Sequence, residues 1–157
     1  MTHGLNRRPA VPSDAKTIVS WFFTRAEVLS WAGPTVPDPL TARWPAQQFE
    51  TASYYVWVDA CGRLQGVFAL NFRGDGNTRF GRFALSPGFR GRKLARTLVQ
   101  EVISVARSMG ARQLSLGVYG SNRIAKHVYE SVGFEVFEER PAQEDPSGVD
   151  YQMRLDL

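Results

Sequence analysis

Arg90-Gly91-Arg92-Lys93-Leu94-Ala95 is a basic, glycine-containing turn that joins a strand-like run over residues 79–85 to a helix-like run ending near Gly110. The helix is read from Leu94, Leu98, Val99, Val102, Val105, Ala106 and Met109. These recur at three- and four-residue spacing and so share one buried face, and Gly110 suits the C-terminal cap. The first N–H groups of a helix lack partners within it, and its dipole places partial positive charge at that end. A turn entering a helix in this way can hold a phosphate against oriented donors. Gly91 lets the backbone approach a ligand with no Cβ in the way, while Arg90, Arg92, Lys93 and Arg96 add positive field. Taken alone, the same turn also reads as an ordinary exposed loop with solvated arginines.

A second unit of the same kind follows. Gln113-Leu114-Ser115-Leu116-Gly117-Val118-Tyr119 alternates apolar with small or polar residues, as a half-buried strand does. Asn122 then opens Arg123-Ile124-Ala125-Lys126-His127-Val128-Tyr129-Glu130, a helix closed by Gly133-Phe134. At these residues the chain resembles the GNAT superfamily of acyl-CoA-dependent N-acyltransferases. In that family the acetyl-CoA loop runs Arg/Gln-x-x-Gly-x-Gly/Ala, and the next helix carries Asn-x-x-Ala-x-x-x-Tyr-x-x-x-Gly-Phe. Asn122, Ala125, Tyr129, Gly133 and Phe134 fill every fixed place of the second pattern. Arg90 and Ala95 match the first, but Lys93 stands where the family usually has its middle glycine; a lysine with negative φ fits there and still offers its N–H. The resemblance is strong from Arg82 to Glu139 and looser elsewhere. Arg8-Pro9-Ala10 with Asp14 and Ile18 looks like the family's first strand passing into its first helix, with Ser13 as N-cap. Trp31-Ala32-Gly33-Pro34 and Pro39-Leu40-Thr41 look like a segment of some bacterial members.

The remaining order is a strand over residues 5–8, a helix over 13–30, a Pro-rich connection over 33–39 and a short helix over 42–51. Strands follow over 54–59, 64–72 and 78–85, and, after the two strand–helix units, over 134–139 and 150–156, with a polar loop over 140–149 between them. Early hairpins followed by strand–helix units imply a mixed α/β fold, with helices on both faces of a mixed sheet. The resemblance sharpens this to a mostly antiparallel sheet of about seven strands and about four helices, splayed between the fourth and fifth strands.

Composition agrees with one domain spanning residues 1–157: 43% of residues are hydrophobic and 22% charged, enough to bury a substantial core. A single cysteine, Cys61, cannot form an internal disulfide and sits in a hairpin-like turn with no catalytic pattern around it. With no leader-like or membrane-length apolar run, the simplest expectation is a cytoplasmic protein without a membrane partner. The net charge of +4 is concentrated between Arg79 and Arg96, where a CoA pyrophosphate accounts for it. No nucleic-acid-binding signature accompanies it, so no nucleic acid is expected as partner. The two histidines, His3 and His127, have no paired ligand at useful spacing, and no metal is expected.

Amide formation requires that an ammonium lose a proton before it attacks the thioester, and that the departing thiolate gain one. The resemblance implies acetyl-CoA as co-substrate, with its pantetheine paired to Phe83, Ala84 and Leu85. Its phosphates would lie on Arg90, Gly91, Arg92, Lys93, Leu94 and Ala95, with Asn122 positioning the cofactor or a water. Tyr129 resembles the family's general acid; an isolated tyrosine there would read first as a packed helix residue, and it is the Asn-x-x-Ala-x-x-x-Tyr frame that favours the acid. Several members carry a glutamate five residues before the motif asparagine, and here that place is Gly117. The proton then leaves through ordered water or through a carboxylate reaching in from the early helices, of which Glu27 and Asp38 are the ones to test, and Trp31, Trp44 and Tyr119 can wall an acceptor pocket or belong to the core. The expected activity is N-acetylation of a small-molecule or peptide amine by direct attack in a ternary complex, by a monomer or homodimer. The alternatives are a silent acyl-CoA sensor on the same fold and a basic nucleic-acid-binding module.

Overall fold

β-Branched and aromatic residues alternating with small or polar ones dictate the strands, and the computed structural model, which describes residues 3–91 and 93–157, assembles seven of them. They are β1 (Asn6–Pro9), β2 (Ser53–Val58), β3 (Leu64–Phe72), β4 (Asn77–Leu85), β5 (Gln113–Tyr119), β6 (Glu135–Pro141) and β7 (Val149–Asp156). Five α-helices accompany them: α1 (Ala15–Val19), α2 (Arg25–Ala32), α3 (Arg43–Gln48), α4 (Leu94–Ser108) and α5 (Arg123–Ser131). The strand order is β1-β2-β3-β4-β5-β7-β6. β1 with β2, β2 with β3, β5 with β7 and β6 with β7 pair antiparallel, whereas β4 and β5 run parallel. That parallel register runs from Asn77↔Gln113 to Arg79↔Ser115 and covers just the first third of β4. The expected mixed, mostly antiparallel sheet is therefore present.

The chain divides into two compact units, Met1–Leu70 with Arg82–Arg92, and Asn71–Gly81 with Lys93–Leu157. The first holds a core of Ile18, Trp21, Val28, Trp31, Val36, Tyr54, Val56 and Val67. Trp57 and Phe68 are fully buried beside each other with ring centroids 4.7 Å apart. The second buries the apolar face of α4 (Leu98, Val99, Val102), together with Leu114, Phe134 and Met153.

Three local expectations are corrected. Residues 13–30 are not one helix: a 3₁₀ turn (Pro12–Asp14) leads into α1, and α2 starts afresh at Arg25. The restart is a capping box, in which Thr24 Oγ1 accepts from Glu27 N at 3.1 Å and Glu27 Oε1 accepts from Thr24 N at 3.0 Å. Ser13 is not the N-cap. The turn starts at Val11, and Asp14, three residues on, reaches back to it, its Oδ2 accepting from Val11 N at 2.8 Å while Arg8 binds both carboxylate oxygens. The polar loop is shorter than expected, because β6 and β7 extend to pair Pro141 with Val149. Among the described residues no helix is long and apolar enough to cross a membrane.

Candidate functional site

In the first unit, the end of β4 is fixed from below by Arg82. Its φ of 54° is a left-handed conformation that is strained for arginine, costing on the order of 1 kcal/mol. The strain is held in place: Trp31 Nε1 donates to the Arg82 carbonyl at 2.9 Å, and Arg82 Nη1 donates to the Ala32 carbonyl at 2.7 Å. The guanidinium also lies 5.4 Å from the Trp44 ring centroid. Phe83, Ala84 and Leu85 follow, Leu85 being buried. Trp31 packs at a tilt against Phe22, ring centroids 5.0 Å apart, and is 5% exposed, so its ring belongs to the core.

Arg90 is turned inward. Its guanidinium donates to the Leu85 carbonyl at 3.1 Å, to Glu27 Oε2 at 3.1 Å and to the Trp21 carbonyl at 3.0 Å. Glu27 is thereby doubly engaged, in the capping box and in this ion pair. Burial pushes its carboxyl up, but the N–H groups of Phe23 and Thr24, the Thr24 hydroxyl and Arg90 outweigh that and hold it below the ordinary carboxylate range. Asp38 is exposed and sits 3.9 Å from Arg25. Gly91 has φ 76° and nothing within 4 Å of where a Cβ would be, so its backbone is open to approach. Arg92 lies outside the described residues.

In the second unit, Lys93 is the N-cap of α4 with φ 57°, not the negative φ expected from the sequence, and its side chain makes no capping hydrogen bond. The left-handed turn is the geometry glycine adopts without strain, so lysine keeps the backbone path of a glycine turn. A lysine side chain has no acceptor atom, so the leading N–H groups of α4, from Leu94 and Ala95 onward, receive none from their N-cap residue.

α5 is held at both ends by the motif residues. Asn122 Oδ1 accepts from Ala125 N at 3.4 Å, and past Gly133 (φ 109°) the Phe134 N–H donates to the Tyr129 carbonyl at 3.0 Å. The Tyr129 ring is buried, edge-on to Phe80 at 6.0 Å and to Phe134 at 5.9 Å. Burial pushes its phenol well above the ordinary tyrosine value. Tyr119 is raised as well, by burial and then by Glu144, whose Oε1 accepts its hydroxyl at 2.9 Å. Glu144 belongs to the β6–β7 loop, which Asp145 anchors by accepting from the Ser121 N–H at 3.2 Å and from the Ser121 hydroxyl.

One cluster escaped the sequence reading. At Gly117 an added Cβ would lie 2.8 Å from Gln152 Nε2, 2.9 Å from Arg79 Nη2 and 3.0 Å from Asp150 Oδ1. Register explains it: Gly117 pairs with Gln152, and Tyr119 with Asp150. The signal was latent in β7, where Tyr151, Met153 and Leu155 share one face and so put Asp150, Gln152 and Arg154 on the other. Among the described residues no group of three or more His, Cys, Asp or Glu side chains could hold a metal ion.

A model of the Acetyltransferase (GNAT) family matches residues 19–134. The chain is 33% identical over 76 residues, 48% of each chain, to an uncharacterized N-acetyltransferase of Mycobacterium bovis. It spans a third to about half of the length of the curated relatives it matches. A GCN5-related N-acetyltransferase from Kribbella flavida superposes with a TM-score of 0.77 at 25% identity, covering 98% of both chains. The Vibrio cholerae spermidine N-acetyltransferase, solved with CoA and spermine, gives 0.81 at 17% identity, covering 98% of this chain and 95% of that one. With the parallel β4–β5 pair, the uncapped α4 and the Asn122-to-Phe134 frame in place, the match over residues 19–134 establishes that this chain belongs to the GNAT acetyltransferase family.

Proposed function

We propose that the chain is an acetyl-CoA-dependent N-acetyltransferase that acts as a single domain on a primary amine of a small molecule or peptide. The observation that carries the reading is Tyr129: a phenol buried between two aromatic edges, its pKa raised by burial, at the end of a helix whose two termini are closed by the family motif. Such a phenol stays protonated at neutral pH and is available to a thiolate leaving in the same apolar surroundings. The leading N–H groups of α4 supply donors and dipole for the pyrophosphate, and the open backbone at Gly91 permits its approach. Backbone groups of Phe83, Ala84 and Leu85 pair with the pantetheine. Arg90 contributes by fixing the turn rather than by meeting a phosphate, since its guanidinium is engaged by Leu85, Glu27 and Trp21.

The test is CoA release, followed with a thiol reagent, across a panel of primary amines. Turnover with at least one amine, together with acetyl-CoA protection against heat, supports the transferase. Protection without turnover on any amine supports the silent sensor instead.

A further inference from the structure

Acyl transfer to an amine needs a group to take the ammonium proton, and several carboxylates of the second unit are committed elsewhere. Glu130 pairs with Lys126 at 3.1 Å, and Glu138 with Arg140 at 2.9 Å. Asp156 accepts from Gln113 at 2.9 Å, Glu144 accepts the Tyr119 phenol at 2.9 Å, and Asp145 accepts from Ser121 and Ser147. Asp150 is placed differently. It is half-buried at the start of β7, and its Oδ1 lies over Gly117 together with the Arg79 guanidinium and the Gln152 amide. Gln152 is 1% exposed, and its side-chain amide is turned toward the Asp150 carboxylate, which it helps to hold ionised. A buried amide, a guanidinium and a carboxylate that meet over a glycine form a polar niche inside the sheet, and only the carboxylate of the three can accept a proton.

We propose that Asp150 takes the proton from the acceptor's ammonium, with Arg79 and Gln152 as positioning residues that hold its carboxylate over Gly117. The proposal rests on the transferase reading above. Burial raises the Asp150 carboxyl and Glu144 adds to the rise; Arg79, Arg140 and Gln152 oppose it, and the balance is upward. Tyr119 faces the same carboxylate, and Arg73 faces Arg79. Among the described carboxyls whose pKa is displaced, Asp14, Glu27, Asp59, Glu138 and Asp145 are held down, and Asp150 alone is pushed up. A carboxylate that holds its proton more tightly is a better general base near neutral pH.

The acceptor R–NH₃⁺ gives one proton to Asp150 Oδ, and from there it passes to solvent. The free amine attacks the thioester carbonyl; the C–N bond forms, the C–S bond breaks and the sulfur leaves with the electron pair. Tyr129 protonates the thiolate, and the second proton lost from the acylated nitrogen restores the phenol. The products are the amide, CoA thiol and one released proton.

The experiment uses the full chain, acetyl-CoA, and spermidine, benzylamine and a peptide with a free N-terminus as acceptors, with kcat/KM measured from pH 6 to 9. Asp150→Asn, which preserves shape, is expected to lower kcat/KM at pH 7 by on the order of a hundredfold. Its profile should follow the amine's own ionisation, with acetyl-CoA protection against heat unchanged. Asp150→Glu should recover part of the rate, and Gln152→Leu should shift the pH profile of the wild-type carboxylate. An Asp150→Asn enzyme with wild-type rate and profile overturns the proposal and leaves the transferase intact. Absence of transfer by the wild type to every acceptor, despite acetyl-CoA binding, overturns the transferase reading and this proposal with it.

Discussion

Arg90 and Glu27 lie 63 residues apart in sequence and form a 3.1 Å ion pair that ties the turn after β4 to the first turn of α2. Glu27 therefore caps a helix and anchors an arginine with one carboxylate. Removing it in Glu27→Ala is expected to cost about 1 kcal/mol through the lost cap. The ion pair adds little, because about a third of each side chain is exposed and solvent screens it. The carboxyl is held below its ordinary range, so its contribution is present above the unfolded-state pKa and is lost as pH falls through the folded-state value. Urea midpoints of wild type and variant should accordingly differ at pH 7 and draw together as pH falls below the ordinary carboxylate range. In transfer assays Glu27→Gln should change kcat by no more than about twofold, since a carboxylate committed to a cap and a guanidinium is a poor proton acceptor. A drop of the size expected for a lost base would return Glu27 to the chemistry.

The turn preceding α4 makes a second prediction. Gly91→Asp places a carboxylate where the backbone is otherwise open, and it also forces a non-glycine residue to φ 76°. Acetyl-CoA should raise the melting temperature of the wild type and leave that of Gly91→Asp unmoved. Lys93→Gly removes a left-handed lysine, which relieves strain of about 1 kcal/mol, partly offset by the greater freedom of glycine in the unfolded chain. The variant is expected to be as stable as wild type or slightly more so, and to keep most of the acetyl-CoA shift because the N–H is retained. Loss of the whole shift in Lys93→Gly would assign the binding to the ammonium instead of the backbone.

The parts of this fold that were legible in the sequence are those in which periodicity and local capping act together. β3 and β5 have the bounds that alternation indicates, and the spacing of Leu94, Leu98, Val99 and Val102 is that of a helix face buried in α4. The split of residues 13–30 into α1 and α2 was written in Thr24 and Glu27, a capping box that apolar spacing alone passes over. Lys93 misled because side-chain identity predicts negative φ, whereas the path of the turn imposes a left-handed one. The Arg79–Asp150–Gln152 cluster needs the register of β5 against β7, a pairing between residues more than thirty apart that no local pattern specifies. Arg90 read as an exposed cation for the same reason, since its partner Glu27 is distant in sequence and its own surroundings hold no carboxylate.

Asp14 gives a prediction on acid stability. It is 5% exposed, and it accepts from Arg8 Nη1 at 2.8 Å, Arg8 Nη2 at 2.9 Å and Val11 N at 2.8 Å. Burial raises its pKa, but these donors more than compensate and the carboxyl is held low. Asp14→Asn should cost about 2 kcal/mol at pH 7, the scale of a hydrogen-bonded charge lost from a buried position. Stability of the wild type from this group is lost as pH falls through the lowered pKa, so the two proteins should approach each other once pH is below the ordinary carboxylate range. A difference that persists unchanged into acid would mean that the packing of the asparagine, rather than the charge, is responsible.

Tyr129→Phe separates catalysis from packing. The phenyl ring keeps both edge-on contacts, at 6.0 Å to Phe80 and 5.9 Å to Phe134, and the carbonyl that closes α5 through Phe134 N–H is untouched. Stability and acetyl-CoA protection should therefore change little. With an acceptor in hand, kcat should fall on the order of a hundredfold or more, because only the proton donor is gone. The pH profile gives an independent reading. Since burial lifts the phenol well above its ordinary value of about 10, no basic limb from loss of the Tyr129 proton should appear below that pH. The acidic limb should instead report the proton acceptor; in Asp150→Asn it should move to the amine's own ionisation, while Tyr129→Phe should keep it where it is. Wild-type turnover by Tyr129→Phe, measured where the chemical step limits the rate, would remove the phenol from the mechanism and leave solvent to protonate the thiolate.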